Sequence, residues 1–514
     1  MSLDVAMLTG VSGINAFGNA MNVIGDNIAN VNTYGFKGST AQFADILSAS
    51  LTSGGGSMQL GRGTSMAGVN TAWSQGSFQT TGNSTDVAVQ GAGFFVVKDP
   101  NSGTPYYSRD GQLIQDKSNN LVDSSGDIIQ GYNMVAPTGV SSNISFTNML
   151  SNAPKASTNF TLGANLNTNA TITPAANITT TAGSANITLG SNGTTYAVGS
   201  SIQFLSSGAM PGGLSPNTPY YVVSNSGGAT PTIQVSATQG GAAITVTSAG
   251  TKTNSIISSP PPAPAYSTTI TLYDAQGNSV NTTMNFFKTA VPSNITAANV
   301  STDFIYQIVP PTGMTVTGGS GTLEFNGTGT LVGVNSTGGT LGTTNPTGIT
   351  ITEAPGGANP LSLSWSTFDS AGAPSLTSYS SPSATLSLTQ DGYSAGNLTG
   401  LSVDTKGVIT GSFSNGQTQK LYQFQLANFP NTSGLTRKGG SLYAATQASG
   451  QALTGTAGAG GLGTILGNSL ELSNVDLASE FVAMVKTQSA YVANSKIITM
   501  ADTLMQQTIQ IVKS

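Results

Sequence analysis

The sequence contains no cysteine and no histidine. Disulfides, Cys/His zinc sites and every catalytic pair or triad built on a thiolate or an imidazole are excluded with them. Charge is scarce as well: 7% of the 514 residues are Asp, Glu, Lys or Arg, against about 25% in an ordinary soluble protein. A net charge of −5, with 15 basic residues scattered along the chain, leaves no electrostatic footprint for nucleic acid or an anionic lipid surface, so neither is expected as a partner. No apolar run approaches the roughly 18 residues of a spanning helix, and direct membrane insertion is not expected. The first 36 residues hold no Lys or Arg to head a secretory signal, so the N-terminus is expected to be retained and any export to proceed without a cleaved signal peptide.

Little chemistry remains. Gln90-Gly91-Ala92-Gly93-Phe94-Phe95 lacks the third glycine and the following helix of a dinucleotide site. Asp116, Asp123 and Asp127 do not fit a twelve-residue calcium loop and read as turn-forming carboxylates. No S-x-x-K motif is present. The expectation is a protein that is not an enzyme and has no catalytic residues, cofactor or metal.

What the chain does have is helical periodicity at its two ends. Met7, Ile14, Phe17, Met21, Ile24, Ile28 and Val31 recur at the three-and-four spacing of a coiled-coil seam, opposite a polar stripe of Asn15, Asn19, Asn22, Asp26 and Asn30. Gly10, Gly13, Gly18 and Gly25 each lower helicity by up to about 1 kcal/mol relative to Ala. At the other end Leu477, Phe481, Met484, Tyr491, Ile498, Met505, Ile509 and Val512 form a second seam, interrupted by Gln488, Ser495 and Asp502. Ser473 is placed to cap this helix, with Leu472 and Leu477 as a hydrophobic staple. One stripe per helix recovers less than the entropy of ordering so long a segment, so both ends are expected to be largely disordered in the monomer and to fold when subunits bury them together. An antiparallel helical hairpin inside one subunit is the competing arrangement.

Between the ends the period changes to two. Val87, Val89, Phe94 and Phe95, the alternation Tyr422, Phe424, Leu426, and the turn Asn415-Gly416 predict β structure. Ile270 and Leu272, a turn at Asp274 to Gly277, then Val280, Met284 and Phe286 predict a hairpin. Residues 156–251 contain no charged side chain, yet strands such as Thr232-Ile233-Gln234-Val235 alternate with Gly-rich turns. A separate inserted β domain is expected there, with Pro260 to Pro264 as a stiff exit linker; disorder is the alternative for so polar a tract, and its Val, Ile and Tyr content argues against it. In the segment 31–72, Phe43, Ile46 and Leu47 suggest a short helical piece and Gly54-Gly55-Gly56 a loop.

Longer motifs add a resemblance. Asp26-Asn27-Ile28-Ala29-Asn30-Val31-Asn32-Thr33-Tyr34-Gly35-Phe36-Lys37 and Ser473-Asn474-Val475-Asp476-Leu477, followed by Glu480, Phe481, Gln488 and Tyr491, are similar to the paired terminal signatures of the bacterial flagellar axial proteins. Ala88 to Phe95, Tyr107 to Gly111, Gln130-Gly131-Tyr132 and Leu426 to Phe429 resemble the core of the distal rod and hook members. Leu272 to Asn278 and Phe286-Phe287-Lys288 resemble the outer domain of the hook members. The charge-free insertion has no counterpart in the resemblance.

The resemblance implies a multidomain α+β chain whose long terminal α-helices form a coiled-coil-like inner domain, with mainly β outer domains nested as insertions. The expected division is 1–30 with 470–514, a bracing segment 31–72, a β core of 73–160 with 375–469, an outer domain of 161–175 with 262–374, and the inserted domain 176–261. It further implies a homo-oligomer, a helical tubular polymer outside the cell, that acts as a universal joint between motor and filament. The rod, the hook cap, the hook–filament junction protein and the export apparatus are the implied partners. A distal rod or hook-associated subunit, or a secreted β-rich adhesin, is the alternative. The implied assembly residues are Ile14, Phe17, Met21, Ile24, Asn27, Ile28, Asn30, Val31, Asn32, Gly35 and Phe36 at the N-terminal end, and Leu477, Phe481, Met484, Gln488, Tyr491, Ile498, Met505 and Ile509 at the other.

Overall fold

The protein is described from a computed structural model covering residues 3–46, 49–53, 56–171, 176–190, 196–206, 210–215, 218–250, 254–258, 263–289, 300–336, 345–353 and 360–513. The chain divides into two units, 1–152 with 397–514 and 153–396. The expected boundaries at 160 and 375 do not coincide with this division, because strand Asn159–Asn165 pairs with Leu376–Thr377 and Ala384–Gln390 inside the second unit.

In the first unit, helix α1 (Leu3–Ala29) precedes and helix α2 (Leu477–Lys513) follows a β core along the chain. The long strand Thr418–Asn428 organises that core, pairing along its length with Val408–Phe413, Ile128–Asn133, Phe94–Lys98 and Leu453–Thr456. Val89, Phe95, Ile129, Phe424, Leu426 and Ile465 fill it. The alternation in Tyr422, Phe424 and Leu426 thus marks a real central strand.

Many hairpins turn on one five-residue device. Asp123, Asp274, Asp369 and Asp404 each accept N–H bonds from the residues two and four places on, for instance 2.9 Å from Gln276 and 2.8 Å from Asn278 to Asp274 Oδ1. The fourth residue, Gly126, Gly277, Gly372 or Gly407, takes a positive φ that glycine reaches without a Cβ clash. Asp116 uses the same arrangement with Asn119 in the left-handed position. The turn-forming reading of Asp116 and Asp123 holds.

The segment 31–72 differs from expectation. Phe43 lies in strand Ser39–Asp45, which pairs antiparallel with Thr64–Thr71, where a helical piece was predicted. Ile46 follows the strand without helical structure, and Leu47, Gly54 and Gly55 lie outside the described residues. The ribbon rests on α1: Phe43 and Phe17 rings sit 5.2 Å apart, and Thr64 N–H donates to Ser12 Oγ. Packing against the helix overrides a weak local preference, as it commonly does for short apolar clusters.

A buried ionic cluster fixes where the helices leave the core. Glu471 is fully buried; its Oε1 receives Lys37 Nζ at 2.6 Å and Gly76 N–H at 2.9 Å, and its Oε2 lies 3.3 Å from Arg109. Lys37 also donates to Ser74 O, and Arg109 to the carbonyls of Val89 and Gly91. Burial pulls the Lys37 ammonium and the Arg109 guanidinium below their ordinary values, and the Glu471 carboxylate opposes that pull on both. Gly35 donates to Glu471 O, and at φ +66° a Cβ there would meet the Arg109 and Asp110 backbone at 2.5 Å. No other residue fits that crossing without moving the chain.

In the second unit, the predicted hairpin is present as Tyr266–Tyr273 paired with Ser279–Thr289, and Ile270, Leu272, Val280, Met284 and Phe286 all face one core. That core lies between a five-stranded and a six-stranded sheet. The charge-free insertion closes into a six-stranded barrel from Ala176–Thr180 to Asn254–Ser258, filled by Ile187, Ile202, Phe204, Ile233, Val235 and Ile256. Pro260 to Pro262 of the expected linker lie outside the described residues. Where the unit begins and ends, Asp391 accepts from Thr158 N–H, Asn159 N–H, Thr158 Oγ1 and Lys155 Nζ.

Two outcomes follow. Replacing Glu471 by Gln leaves the Lys37 and Arg109 charges buried without their counter-ion, which costs about 3–5 kcal/mol. The two tryptophans, Trp73 and Trp365, fall in different units, so a Trp365→Phe background isolates the first unit; urea unfolding followed by Trp73 fluorescence should then lose that stability, and an unchanged midpoint refutes the role. Hydrogen bonds from its neighbours outweigh desolvation and hold the Asp391 carboxyl well below the ordinary range. A depressed folded-state pKa gives stability that is present above the ordinary Asp value of about 3.9 and is lost as pH falls toward the depressed one. In a Trp73→Phe background, the urea midpoint of the second unit should drop between pH 5 and pH 2.5, and Asp391→Asn should flatten that drop.

Candidate assembly interface

The two helices run antiparallel, and the contact is made by small residues. Along α1, Gly10, Gly13, Ala16, Ala20, Ile24 and Asn27 form the buried line. A Cβ on Gly10 would stand 2.8 Å from Ile498 Cγ1, and one on Gly13 would stand 2.5 Å from the Asn494 side chain. Gly18 lies beside Tyr491, and Asn27 bonds Glu480 at 2.9 Å. On α2 the less exposed positions Glu480, Met484, Thr487, Ala490, Asn494, Ile498, Ala501 and Met505 again follow three-and-four spacing, with Ala483 and Ser495 beside them. Two of the four glycines that lower intrinsic helicity, Gly10 and Gly13, are therefore the ones that let the second helix approach, while Gly25 faces open space.

This arrangement corrects two expectations. The helices partner each other within one chain, so the antiparallel hairpin is the arrangement found. The start of α2 is capped by Asp476, whose Oδ1 accepts from Ser479 N–H at 2.9 Å. Ser473 Oγ instead takes Val475 N–H, which shifts the cap three residues on and leaves Leu472 and Leu477 out of staple register.

The residues named from sequence divide into groups. Ile24, Asn27, Gly35 and Phe36 are buried. Ile14, Phe17, Met21, Ile28, Asn30, Val31, Met484, Ile498 and Met505 are half-buried, while Asn32, Leu477, Phe481, Gln488, Tyr491 and Ile509 are exposed. Phe481 stands 52% exposed. It shares the outer side of α2 with Val482, Val485, Val492, Ile497, Met500 and Leu504, a run of large apolar side chains open to solvent in the single chain.

Asparagine amides lock the helices to the ribbon. Asn27 is 1% exposed; its amide donates to Ser39 O at 2.7 Å and accepts from Ser39 N–H at 2.8 Å, as a paired strand would. Asn474 accepts from Gly38 N–H and donates to Ala72 O and Ser74 O. Arg437 extends the same joint, reaching Lys37 O, pairing with Asp26 at 3.5 Å and covering the Phe36 ring at 4.9 Å. Reading the sequence for apolar stripes overlooks Gly10, Gly13, Asn494 and Glu471. The available signal was glycine and alanine at helical spacing, which marks close helix approach as clearly as leucine marks a seam.

Comparison with known proteins places this geometry. Residues 7–37 match a family model described as Flagella basal body rod protein, 88–197 the Flagellar hook protein FlgE/F/G D1 domain, 248–393 the Flagellar basal body protein FlaE D2 domain, and 467–511 the Flagellar basal body rod FlgEFG protein C-terminal. The flagellar hook protein FlgE of Escherichia coli K12 is 31% identical over 516 residues, spanning 99% of this chain and 100% of that one. Those of Salmonella typhimurium and Borreliella burgdorferi are 30% and 27% identical, each spanning 98% of this chain and 98% and 99% of their own. The crystal structure of Helicobacter pylori FlgE2 aligns at a TM-score of 0.39 with 15% identity, over 75% of this chain and 98% of that one. Similar to hook proteins from end to end, the chain belongs to the flagellar hook protein family.

Proposed function

We propose that copies of this structural subunit pack through the outer side of α2 into a tube whose inner layer is made of terminal helices, and that the tube serves as a flexible coupling between motor and filament. The observation that carries this reading is the solvent-exposed run from Phe481 to Leu504 on a helix whose other side is already taken by α1. Large apolar side chains exposed at that density, with Lys486, Ser489 and Lys496 between them, mark a contact surface. Two faces on one helix, one filled within the chain and one open, suit a subunit that presents a preformed pair to its neighbours.

Bending a tube requires contacts on one side to shorten and those on the other to lengthen, so outer contacts must slide while inner ones hold. The second unit suits sliding. Its surface is dominated by Ser, Thr, Asn and Gly; Asp303 and Glu324 are buried, and Lys155 is already paired with Asp391. Few ion pairs between copies could then fix one register. Rod, cap, junction protein and export apparatus are the partners this reading carries with it.

Phe481→Asp places a charge in the open face without touching the α1 seam. Electron microscopy of purified protein under polymerising salt should find no tubes, with circular dichroism unchanged; normal tubes from that variant sink the reading. Gly13→Leu should block the pair itself. In hydrogen exchange of the unpolymerised chain, the α1 and α2 amides should lose protection by at least tenfold relative to wild type, while the β core retains its own.

A further inference from the structure

Among the described residues two Asn-Gly steps occur, Asn326-Gly327 in the second unit and Asn415-Gly416 in the first; Asn192-Gly193 lies outside them. Such a step is chemically labile. The backbone nitrogen after the asparagine can close a five-membered ring on the side-chain amide carbon, and glycine has no Cβ to obstruct the closure.

The two steps are alike in exposure, each with a half-buried asparagine and an exposed glycine. Their backbones differ. Gly416 N–H donates to Phe413 O at 2.9 Å with φ +77°, so the nitrogen that would attack is already engaged. Gly327 N–H bonds no described residue, and a Cβ built there would meet nothing within 4 Å.

Asn326 opens the same five-residue turn as Asp274, with an amide in place of the carboxylate. Its Oδ1 accepts from Thr328 N–H at 3.1 Å, from Thr330 N–H at 2.9 Å and from Thr328 Oγ1 at 2.7 Å. Gly329 N–H returns to Asn326 O at 3.0 Å, and Ser378 N–H donates to Gly329 O, which anchors the turn. Three donors on one carbonyl oxygen stand where negative charge collects when its carbon is attacked, the arrangement of an oxyanion hole. The Asn326 Nδ2 group donates to no described residue.

We infer that Asn326 is a self-modification site, which loses its amide in the folded protein while Asn415 keeps its own. Hydroxide takes the Gly327 amide proton, the nitrogen attacks Asn326 Cγ, and the C=O electron pair moves onto Oδ1 among its three donors. Collapse of that intermediate breaks the Cγ–Nδ2 bond; Nδ2 takes a proton from water and leaves as ammonia. A second water opens the resulting imide, giving aspartate when the Gly327 N–Cγ bond breaks and isoaspartate when the other ring C–N bond does. The net change is one water consumed and one ammonia released, with no oxidant or reductant. An aspartate at 326 fits the turn as Asp274 fits its own, and the departed nitrogen made no bond there. Each copy thus gains one negative charge with age, in a unit otherwise poor in charge.

The test follows the purified full chain at pH 8, with samples digested by pepsin in acid and peptides weighed by mass spectrometry. The bond held by Gly416 N–H is worth about a factor of ten, so in the folded chain Asn326 should gain its one mass unit roughly that much faster than Asn415. In urea the two rates should converge. Equal rates in the folded chain, or an undiminished contrast in urea, overturn the inference. Gly327→Ala enters open space at a φ outside the left-handed region; circular dichroism should be unchanged and conversion at Asn326 slowed about tenfold or more by the added Cβ. Thr328→Val removes one donor from Oδ1 and should slow conversion about threefold to tenfold. An unaltered rate in either variant counts against the mechanism and overturns the proposal.

Discussion

The buried carboxylate of Glu471 is the constraint around which the first unit is arranged. A charge removed from water must be matched where it sits, and Lys37 and Arg109 meet it from opposite parts of the sequence. Lys37 follows α1, Glu471 precedes α2, and Arg109 lies in the β core. One ion cluster therefore ties both helix connections to the same point. Asn27, Asn474 and Arg437 then hold the intervening backbone by bonds that reproduce strand pairing. For a subunit that transmits force, this is a sensible place for stiffness: directional, water-poor interactions resist displacement, whereas apolar contacts alone would permit sliding.

The helix pair separates two tasks that one apolar seam would confuse. Small residues of α1 bring the two helices close and complete the subunit's own contact, and Phe481, Val482, Val485 and the other bulky side chains on the far side of α2 are left outside. Gly10 and Gly13 each carry a local cost in helicity of up to about 1 kcal/mol, offset by approach distances that any larger residue would forbid. The second unit has the opposite character: its surfaces are rich in neutral polar side chains, with few charges to fix a contact.

Much of the β architecture was legible. The Tyr422 to Leu426 alternation, the Ile270 to Phe286 hairpin and the separate charge-free domain all rest on local periodicity, and the Asp-x-x-Gly-x turns carry their own geometry in a few adjacent residues. The helices themselves were equally plain. Their partners were not. The apolar stripe from Ile14 to Ile28 pointed to a neighbour of large side chains, while the contact made is the line Gly10, Gly13, Ala16, Ala20, which apolar periodicity passes over.

By itself, then, the sequence determined the protein's class and its materials. Without thiol or imidazole most common catalysis was excluded, and local hydrogen-bonding rules set strands, turns and helices. The tertiary structure decided which surfaces remain open. Whether Phe481 is buried and whether residues 39–45 form a strand depend on groups tens to hundreds of positions apart. Close packing and the matching of buried charge act through space, and one chain's spacing pattern carries no record of the element that will stand opposite.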